Sequence, residues 1–448
     1  MPTRLFGTDG VRGTPGTPPL DGATLARLGA GVVRILGVAG RDARVLIGRD
    51  TRESGEWIIG RLACGMMHVG AEITHGGLLT TPAVAFLTRD GGFDAGIVVS
   101  ASHNPFQDNG VKVFTGVGEK ANDDLQARIG AVVAAESRDR FADPAPRIET
   151  VAVGDAYQVH TSRILAGVEA PSGLRLAIDC ANGATSQMAP AVLRQLGLDP
   201  IVLHDTPDGR NINLDCGSTH PEHLARTVVE RGCQLGAAFD GDGDRVVFVD
   251  HRGAVVNGDA VLLIAARRLA ASGRLPGRAV VATVMSNLGL EHALSADGIA
   301  LHRCPVGDRH VWAEMQRRGI ALGGEQSGHV ILADHLSTGD GLATAMMIIR
   351  AVIETGQALA DLAGDLVALP QVLVNTRVGR RTPIAELPEL SRLIGSIERD
   401  LAGDGRVLVR YSGTEPLLRV MVEGRDQVEI EGLAEAIAEG ARAELGEP

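Results

Sequence analysis

The sequence predicts an α/β protein: three topologically related α/β domains with mixed sheets, plus a smaller C-terminal α+β domain, arranged around one central cleft. Three observations lead there. Short apolar runs alternate with helical stretches, as in sheets layered with helices. One pattern occurs three times: strand, turn, helix, strand, then two strands joined by a polar, glycine-rich loop. The last segment departs from that pattern.

In the first copy RVLIGRD reads as a strand, and Ser54 to Val69 as a helix with Trp57, Ile58, Leu62 and Met66 at helical spacing. GAEITHGG is the next strand, and DAGIVV and GVKVF flank the loop SASHNPFQDN. In the second copy LRLAIDC, the helix MAPAVLRQLG and DPIVLHD precede QLGAAF and RVVFVD, which flank DGDG. In the third, RAVVATV, the helix LGLEHALSADG, IALHRC and a helix from Asp308 to Arg317 precede IALGG and HVILAD, which flank EQSG. A helix from about Asp340 to Glu354 leads to the fourth part, where VLVRYSGTEPLLRVMVEG reads as two strands around a loop. An amphipathic helix from about Val428 to Leu445 follows. The expected domains are residues 1–150, 151–256, 257–370 and 371–448. The charged, proline-containing stretch Ala134 to Ala145 reads as a linker or surface loop. Loops at strand ends of α/β sheets are the usual ligand sites, so the three polar loops are expected to meet in one cleft.

Composition excludes several classes of function. The chain has 448 residues and a formal net charge of −12, which argues against a general binder of nucleic acid or anionic membrane. Aromatics are 3% of residues, too few for base stacking to be the main business. No apolar run approaches the roughly 18 residues of a membrane span, and MPTRLFGTDG lacks a secretory apolar core. Five scattered cysteines form no CxxC pair, which fits a reducing compartment. A cytoplasmic protein is expected. The basic residues are almost all arginine, and the two lysines are Lys112 and Lys120. Lysine can be desolvated and lose its proton where arginine cannot, which makes Lys120 a candidate for chemistry.

Four loops carry the candidate chemistry. In Asp240-Gly-Asp242-Gly-Asp244-Arg245, glycines let alternate carboxylates aim at one point, and an all-oxygen set suits a hard cation, Mg²⁺ or Ca²⁺. Arg245 and His251 stand where an EF-hand needs Gly and Glu, so that reading fails. Arg245 points to a neighbouring anion. In Ser100-Ala101-Ser102-His103-Asn104-Pro105 either serine is a candidate nucleophile, and the residues alone do not choose between them. Adjacent Ser and His side chains on extended backbone face opposite ways, so Ser102 and His103 are not expected to form a dyad. Arg410, Ser412, Gly413 and Thr414, with Arg419 beyond, combine backbone donors, hydroxyls and guanidinium forks into a phosphate cradle. Glu325, Gln326, Ser327 and His329, between glycines, suit the hydroxyls of a sugar.

Taken in order, Thr8-Asp9-Gly10-Val11-Arg12-Gly13, GRDTRESG, SASHNP, DGDGDR, GEQSGH and RYSGTEP resemble the α-D-phosphohexomutase superfamily over nearly the whole chain. The resemblance implies four domains, the fourth binding phosphate. It implies Ser102 as a phosphoserine, and Mg²⁺ held by Asp240, Asp242, Asp244 and that phosphoserine. Arg245, Glu325, Ser327 and His329 would meet the sugar, and Arg410, Ser412, Gly413, Thr414 and Arg419 its non-reacting phosphate. His103, Arg12, Lys120 and His329 fall in catalytic segments, with Lys120 or His329 favoured as general base. The implied reaction is phosphoryl exchange between phospho-Ser102 and a hexose phosphate through a 1,6-bisphosphate.

GEQSGH with Gln326, the opening RLFGTDGVRG, the run GIVVSASHNPFQDNGVKVF and the total length resemble the branch of that superfamily whose members act on glucosamine 6-phosphate and glucosamine 1-phosphate, which implies a place on the route to UDP-N-acetylglucosamine and peptidoglycan. Glucosamine 1,6-bisphosphate or glucose 1,6-bisphosphate is the implied activator, and a homodimer the implied assembly. His310 stands where the resemblance leads one to expect Tyr. Mannose and glucose phosphates are the alternative substrates, and metal-dependent phosphatase action the alternative of a different class.

Overall fold

The computed structural model describes residues 5–7, 9–137, 147–169, 171–401, 403–412 and 417–446. The chain divides into two compact units. The larger comprises residues 1–283 and 302–364, and the smaller residues 284–301 and 365–448.

The first sheet holds β1 (Val11–Gly13), β2 (Ala43–Arg49), β3 (Ala71–Leu78), β4 (Ala95–Val99) and β5 (Asn109–Thr115), in the order β1-β5-β4-β2-β3. The second holds β6 (Leu176–Asp179), β7 (Ile201–Leu203), β8 (Leu235–Phe239), β9 (Val246–Asp250) and β10 (Val255–Val256), in the order β10-β9-β8-β6-β7. The third holds β11 (Ala279–Thr283), β12 (Ala300–Cys304), β13 (Leu322–Gly324) and β14 (Val330–Leu332), in the order β12-β11-β13-β14. The threefold repeat is therefore structural. β2–β4, β6–β8 and β11–β13 are parallel, and each leads into an antiparallel pair: β4–β5, β8–β9 or β13–β14. The connections within those pairs are the serine, aspartate and sugar loops. β4, β8 and β9 are buried along their whole length, so their chain ends leave the sheets at fixed points.

The third copy's extra helix has counterparts that the periodicity did not reveal. Thr81–Asp90 feeds β4 and Glu222–Arg231 feeds β8, as Asp308–Arg318 feeds β13. Residues 81–88 are all buried, so the first of these shows no polar face to read. The helix expected from Met188 begins at Thr185 instead and carries Pro190 inside it. Most of the stretch expected to be a linker, residues 138–145, lies outside the described residues.

The smaller unit has its own sheet, β15 (Gln371–Arg377), β16 (Arg406–Tyr411) and β17 (Leu417–Glu423), in the antiparallel order β15-β17-β16. Helices Pro388–Leu401 and Gln427–Leu445 cover it with a core of Leu390, Ile397, Leu418, Val420, Ile430 and Ile437. Asp426 caps the latter helix by accepting the Val428 and Glu429 N–H groups.

Candidate active site

The serine loop departs from extended backbone. Ser102 has φ of +55°, the left-handed region that a non-glycine residue adopts only under constraint. The constraint comes from Arg52, whose side chain is fully buried and uses all five N–H groups. Its Nε donates to Asp50 at 2.9 Å, one terminal nitrogen to the Pro105 and Asp108 carbonyls, and the other to Ser102 O and Asn104 O at 2.9 and 2.8 Å. Asn213, from the second α/β domain, donates to the same two carbonyls at 2.9 and 3.0 Å. The Ser100 hydroxyl accepts the Ser102 N–H at 2.8 Å.

Ser102 Oγ, not Ser100 Oγ, is the hydroxyl set against the aspartates, 2.5 Å from Asp240 Oδ2. The left-handed turn also brings Ser102 Oγ to 3.3 Å from His103 Nδ1. The expectation of opposed side chains is therefore corrected, because it assumed an extended chain. Burial, with Arg245 and Arg12 nearby, pushes the His103 pKa down to about 4, so its imidazole is neutral.

The three aspartates do converge: one carboxylate oxygen from each of Asp240, Asp242 and Asp244 lies within 4.8 Å of the others. The glycines between them are fixed by close approach. A Cβ on Gly241 would come within 2.6 Å of Ser102 O, and Gly243 has φ of +71° with Thr80 and Thr185 against it. Asp242 accepts from the Thr81 hydroxyl, and its carbonyl accepts the Thr81 N–H at 2.9 Å. Burial, then Asp244 and Asp242, push the Asp240 pKa up to about 8. Asp242 Oδ1 and Asp244 Oδ1 are buried without a hydrogen-bond partner. Three crowded carboxylates with unused oxygens fit a divalent cation bound through oxygen.

Sequence reasoning passed over the neighbouring cation. Lys112, 2% exposed, sits 2.7 Å from Asp242, 3.0 Å from Asp244 and 3.1 Å from Asp9. Burial alone would lower its pKa, but Asp242, Asp244 and Asp9 outweigh it and hold the ammonium charged. The available signal was that only two positions in the chain carry lysine.

Lys120 donates to Asp9 at 2.8 Å and to Asp308, and lies 3.9 Å from Asp244. Burial opposes its charge, yet Asp308 and Asp9 prevail and raise its pKa. The expectation that burial would strip its proton is thus reversed, because the ammonium is paired rather than merely desolvated. Asp9 and Asp308 lay inside quoted motifs, but neither was assigned a role.

His329 lies 3.6 Å from both Asp244 and Asp308. The Gly339 N–H donates to His329 Nε2 at 2.9 Å. Burial opposes the ring's charge, but Asp244 and Asp308 prevail and raise its pKa. Arg12 donates to Asp9 at 2.9 Å and to Asn104 at 3.4 Å. Arg245 lies 3.9 Å from Asp244, and its Nε is buried without a hydrogen-bond partner.

Of the sugar loop, Glu325 is buried and accepts the Gly307 N–H at 3.0 Å, Ser327 is exposed, and the Gln326 amide donates to Asp259 at 3.2 Å. The Val246 N–H donates to Gly328 O at 3.1 Å, tying this loop to the aspartate loop. Serine, aspartate and sugar loops thus meet within the larger unit.

In the smaller unit Arg410 and Arg419 are directly paired across β16 and β17. Burial, then Arg419, lower the Arg410 pKa, as expected of cations side by side. Ser412 is buried, whereas Gly413 and Thr414 lie outside the described residues.

A serine hydroxyl against clustered carboxylates, flanked by paired lysines and arginines, suits phosphoryl transfer at a metal-assisted site. The chain matches phosphoglucomutase/phosphomannomutase alpha/beta/alpha domains I, II and III over residues 3–140, 155–253 and 257–369, and the family's C-terminal domain over 373–440. It belongs to the phosphoglucomutase/phosphomannomutase family and is an isomerase of the phosphohexomutase class. Full-length relatives narrow this to one kind of enzyme. A phosphoglucosamine mutase of Solibacter usitatus is 46% identical, with 100% of each chain covered. Another, of Moorella thermoacetica, is 46% identical over 96% of this chain and 97% of its own.

Among solved structures, a phosphoglucomutase/phosphomannomutase family protein of Burkholderia thailandensis has the same fold, with a TM-score of 0.79 at 24% identity over 98% and 97% of the two chains. Aspergillus fumigatus N-acetylphosphoglucosamine mutase, solved with GlcNAc-6P and magnesium, gives a TM-score of 0.66 at 18% identity over 98% and 96%. No described helix is long and apolar enough to cross a membrane.

Proposed function

We propose that this isomerase interconverts glucosamine 6-phosphate and glucosamine 1-phosphate through phospho-Ser102. The carrying observation is the 2.5 Å approach of Ser102 Oγ to Asp240, with Lys112 beside the next two aspartates. The glucosamine preference rests on the full-length relatives named phosphoglucosamine mutase.

Asp240, Asp242 and Asp244 would hold Mg²⁺ together with the phosphoserine, and bound Mg²⁺ supplies positive charge where the transferring phosphoryl group develops negative charge. The protein's own groups do the rest. Arg52 and Asn213 hold the Ser102 loop in the left-handed turn, so no rearrangement is needed to aim Oγ. Lys112 and Arg245 set fixed cations around the phosphoryl position, and Arg12 and His103 flank it. The phosphoryl group passes from Ser102 to the free sugar hydroxyl: the serine P–O bond breaks as the sugar O–P bond forms, the hydroxyl's proton ends on Ser102 Oγ, and the resulting 1,6-bisphosphate returns its other phosphate to Ser102 by the reverse exchange. Glucosamine 1,6-bisphosphate or glucose 1,6-bisphosphate activates by phosphorylating Ser102. Glu325, Ser327 and His329 meet the sugar, while Arg410, Ser412, Gly413, Thr414 and Arg419 hold the non-reacting phosphate. The enzyme works in the cytoplasm.

A substrate panel tests this reading. Glucosamine, glucose and mannose phosphates are assayed side by side with bisphosphate activator and Mg²⁺. Glucosamine phosphate is expected to give the highest kcat/KM. The substrate assignment fails if it ranks lowest. Release of free phosphate faster than isomer formation would point instead to a phosphatase.

A further inference from the structure

A second convergence of metal-binding side chains, made of residues other than the three aspartates, lies in the second α/β domain. Asp179 ends β6, His204 follows β7, and Cys216 lies in the connection between β7 and β8. One carboxylate oxygen, one imidazole nitrogen and the thiol of these residues all lie within 4.8 Å of one another. Asp179 and Cys216 are fully buried, and His204 is half-buried.

Two geometric features suit this set to sharing an ion. First, His204 Nδ1 is buried and lies 3.0 Å from Asp179 Oδ2, yet it has no partner in hydrogen-bond geometry. The two atoms are adjacent but do not point at each other, as two ligands sharing a third atom would be. Donors about 2.1 Å from a tetrahedral zinc ion stand roughly 3.4 Å apart, so the pair need open by only a few tenths of an ångström to share one. Second, the outer contacts that orient metal ligands are already in place. Asp179 Oδ1 accepts the Ala181 N–H at 2.9 Å and Oδ2 the Gly217 N–H at 3.0 Å, which still leaves lone pairs free. His204 Nε2 meets His223 Nδ1 at 3.2 Å, so the outer ring nitrogen has a partner and the inner one faces the cluster.

We propose that Asp179, His204 and Cys216 form a second cation site that takes a borderline divalent ion of the zinc or cobalt type. A mixed oxygen, nitrogen and sulfur set selects such ions over Mg²⁺, which the all-oxygen aspartates suit. Binding replaces the Cys216 S–H proton with a metal–sulfur bond and releases that proton to solvent. Three protein ligands leave a fourth position for water.

The site bears on the serine loop through backbone. The Asn213 N–H donates to Ala181 O at 2.9 Å, two residues from Asp179, and the Asn213 side chain holds the carbonyls of Ser102 and Asn104. An ion at the cluster would fasten the segments carrying residues 179, 204 and 216 beneath that contact.

The test uses full-length protein stripped with a chelator, then given excess Mg²⁺ to occupy the aspartates, and titrated with Co²⁺. The expected result is one equivalent of tetrahedral Co²⁺ with thiolate-to-cobalt charge-transfer absorption, and one proton released per ion. The charge-transfer band should vanish in Cys216→Ser and weaken at least tenfold in apparent affinity in His204→Gln. It should persist in Asp242→Asn, which separates this site from the catalytic one. Wild-type protein with no thiolate band, or a band unchanged in Cys216→Ser, overturns the proposal. Its failure leaves the mutase reading untouched, since no step of that reaction uses these residues.

Discussion

Ser102 Oγ stands 2.5 Å from Asp240 Oδ2, although the two residues belong to different α/β domains and lie 138 positions apart. The serine hydroxyl and the aspartate loop therefore touch, and changes on either side are expected to act together. Ser102→Ala should abolish phosphorylation and cut turnover by roughly a thousandfold or more, as loss of a nucleophile does. Intact mass before and after incubation with a 1,6-bisphosphate checks it. A variant that still gains a phosphate at full activity would remove Ser102 from the reaction.

Asp242→Asn keeps the side chain's shape while removing a charged oxygen donor from the aspartate cluster and the nearest carboxylate to Lys112. Turnover is expected to fall on the order of a hundredfold or more. Metal-free protein is expected to lose thermal stability, because the buried Lys112 ammonium keeps only Asp244 and Asp9 as partners. The rise in Tm that Mg²⁺ produces in the parent should shrink or disappear. Thermal unfolding with and without Mg²⁺ reads both effects, and an unchanged Mg²⁺ response would exclude Asp242 as a ligand.

Arg52→Ala leaves Asp50 buried without its ion-pair partner and strips donors from four carbonyls of the serine loop. The expected cost is about 3–5 kcal/mol, measurable by urea unfolding. Arg52→Lys should recover part of the stability but little kcat, since one ammonium has three donors where the guanidinium uses five. Recovery of full kcat by lysine would show that the loop's geometry does not depend on the fork.

Arg410→Gln should raise KM for the sugar phosphate about tenfold or more with a smaller change in kcat, the pattern of a lost contact to a non-reacting group. Steady-state kinetics decide it. A fall in kcat at constant KM would place Arg410 in the chemistry instead.

Asp94 supplies a pH dependence away from the catalytic centre. Its pKa is lowered chiefly by the two-pronged hydrogen bond from Arg41, which outweighs burial, and by the Arg44 N–H. A carboxylate with a depressed folded pKa contributes stability above its unfolded pKa, and that stability is lost as pH falls through the folded value. Asp94→Asn should therefore destabilise at neutral pH, and its Tm difference from the parent should close below about pH 4. A difference that stays constant to pH 3 would show that the ion pair contributes nothing.

What was legible in the sequence was local. DGDGDR announces three converging carboxylates because alternating Asp and Gly within six residues constrain one another. The threefold repeat shows because each copy is one continuous segment. What was not legible depends on contacts across the chain. Lys112 acquires its partners 130 and 132 residues away, and Lys120 pairs with Asp308, 188 residues away. No spacing rule reaches that far. The Ser102–His103 contact was misjudged for a different reason: the side-chain alternation rule assumes β geometry, and Arg52 and Asn213 hold the turn in another region. Helix Thr81–Asp90 was hidden because complete burial erases its amphipathic period.

The scarcity of lysine gives the folded enzyme an unusual profile toward amine-directed reagents. Lys112 is 2% exposed and Lys120 13% exposed, each engaged by carboxylates. Acylating labels and amine-coupling supports should find neither lysine readily in the native chain, while a denatured molecule offers both. A lysine-specific protease acting on unfolded chains would release the peptide of residues 113–120, so the appearance of that fragment reports opening of the catalytic centre in a mixture where arginine-directed cleavage would report nothing so local.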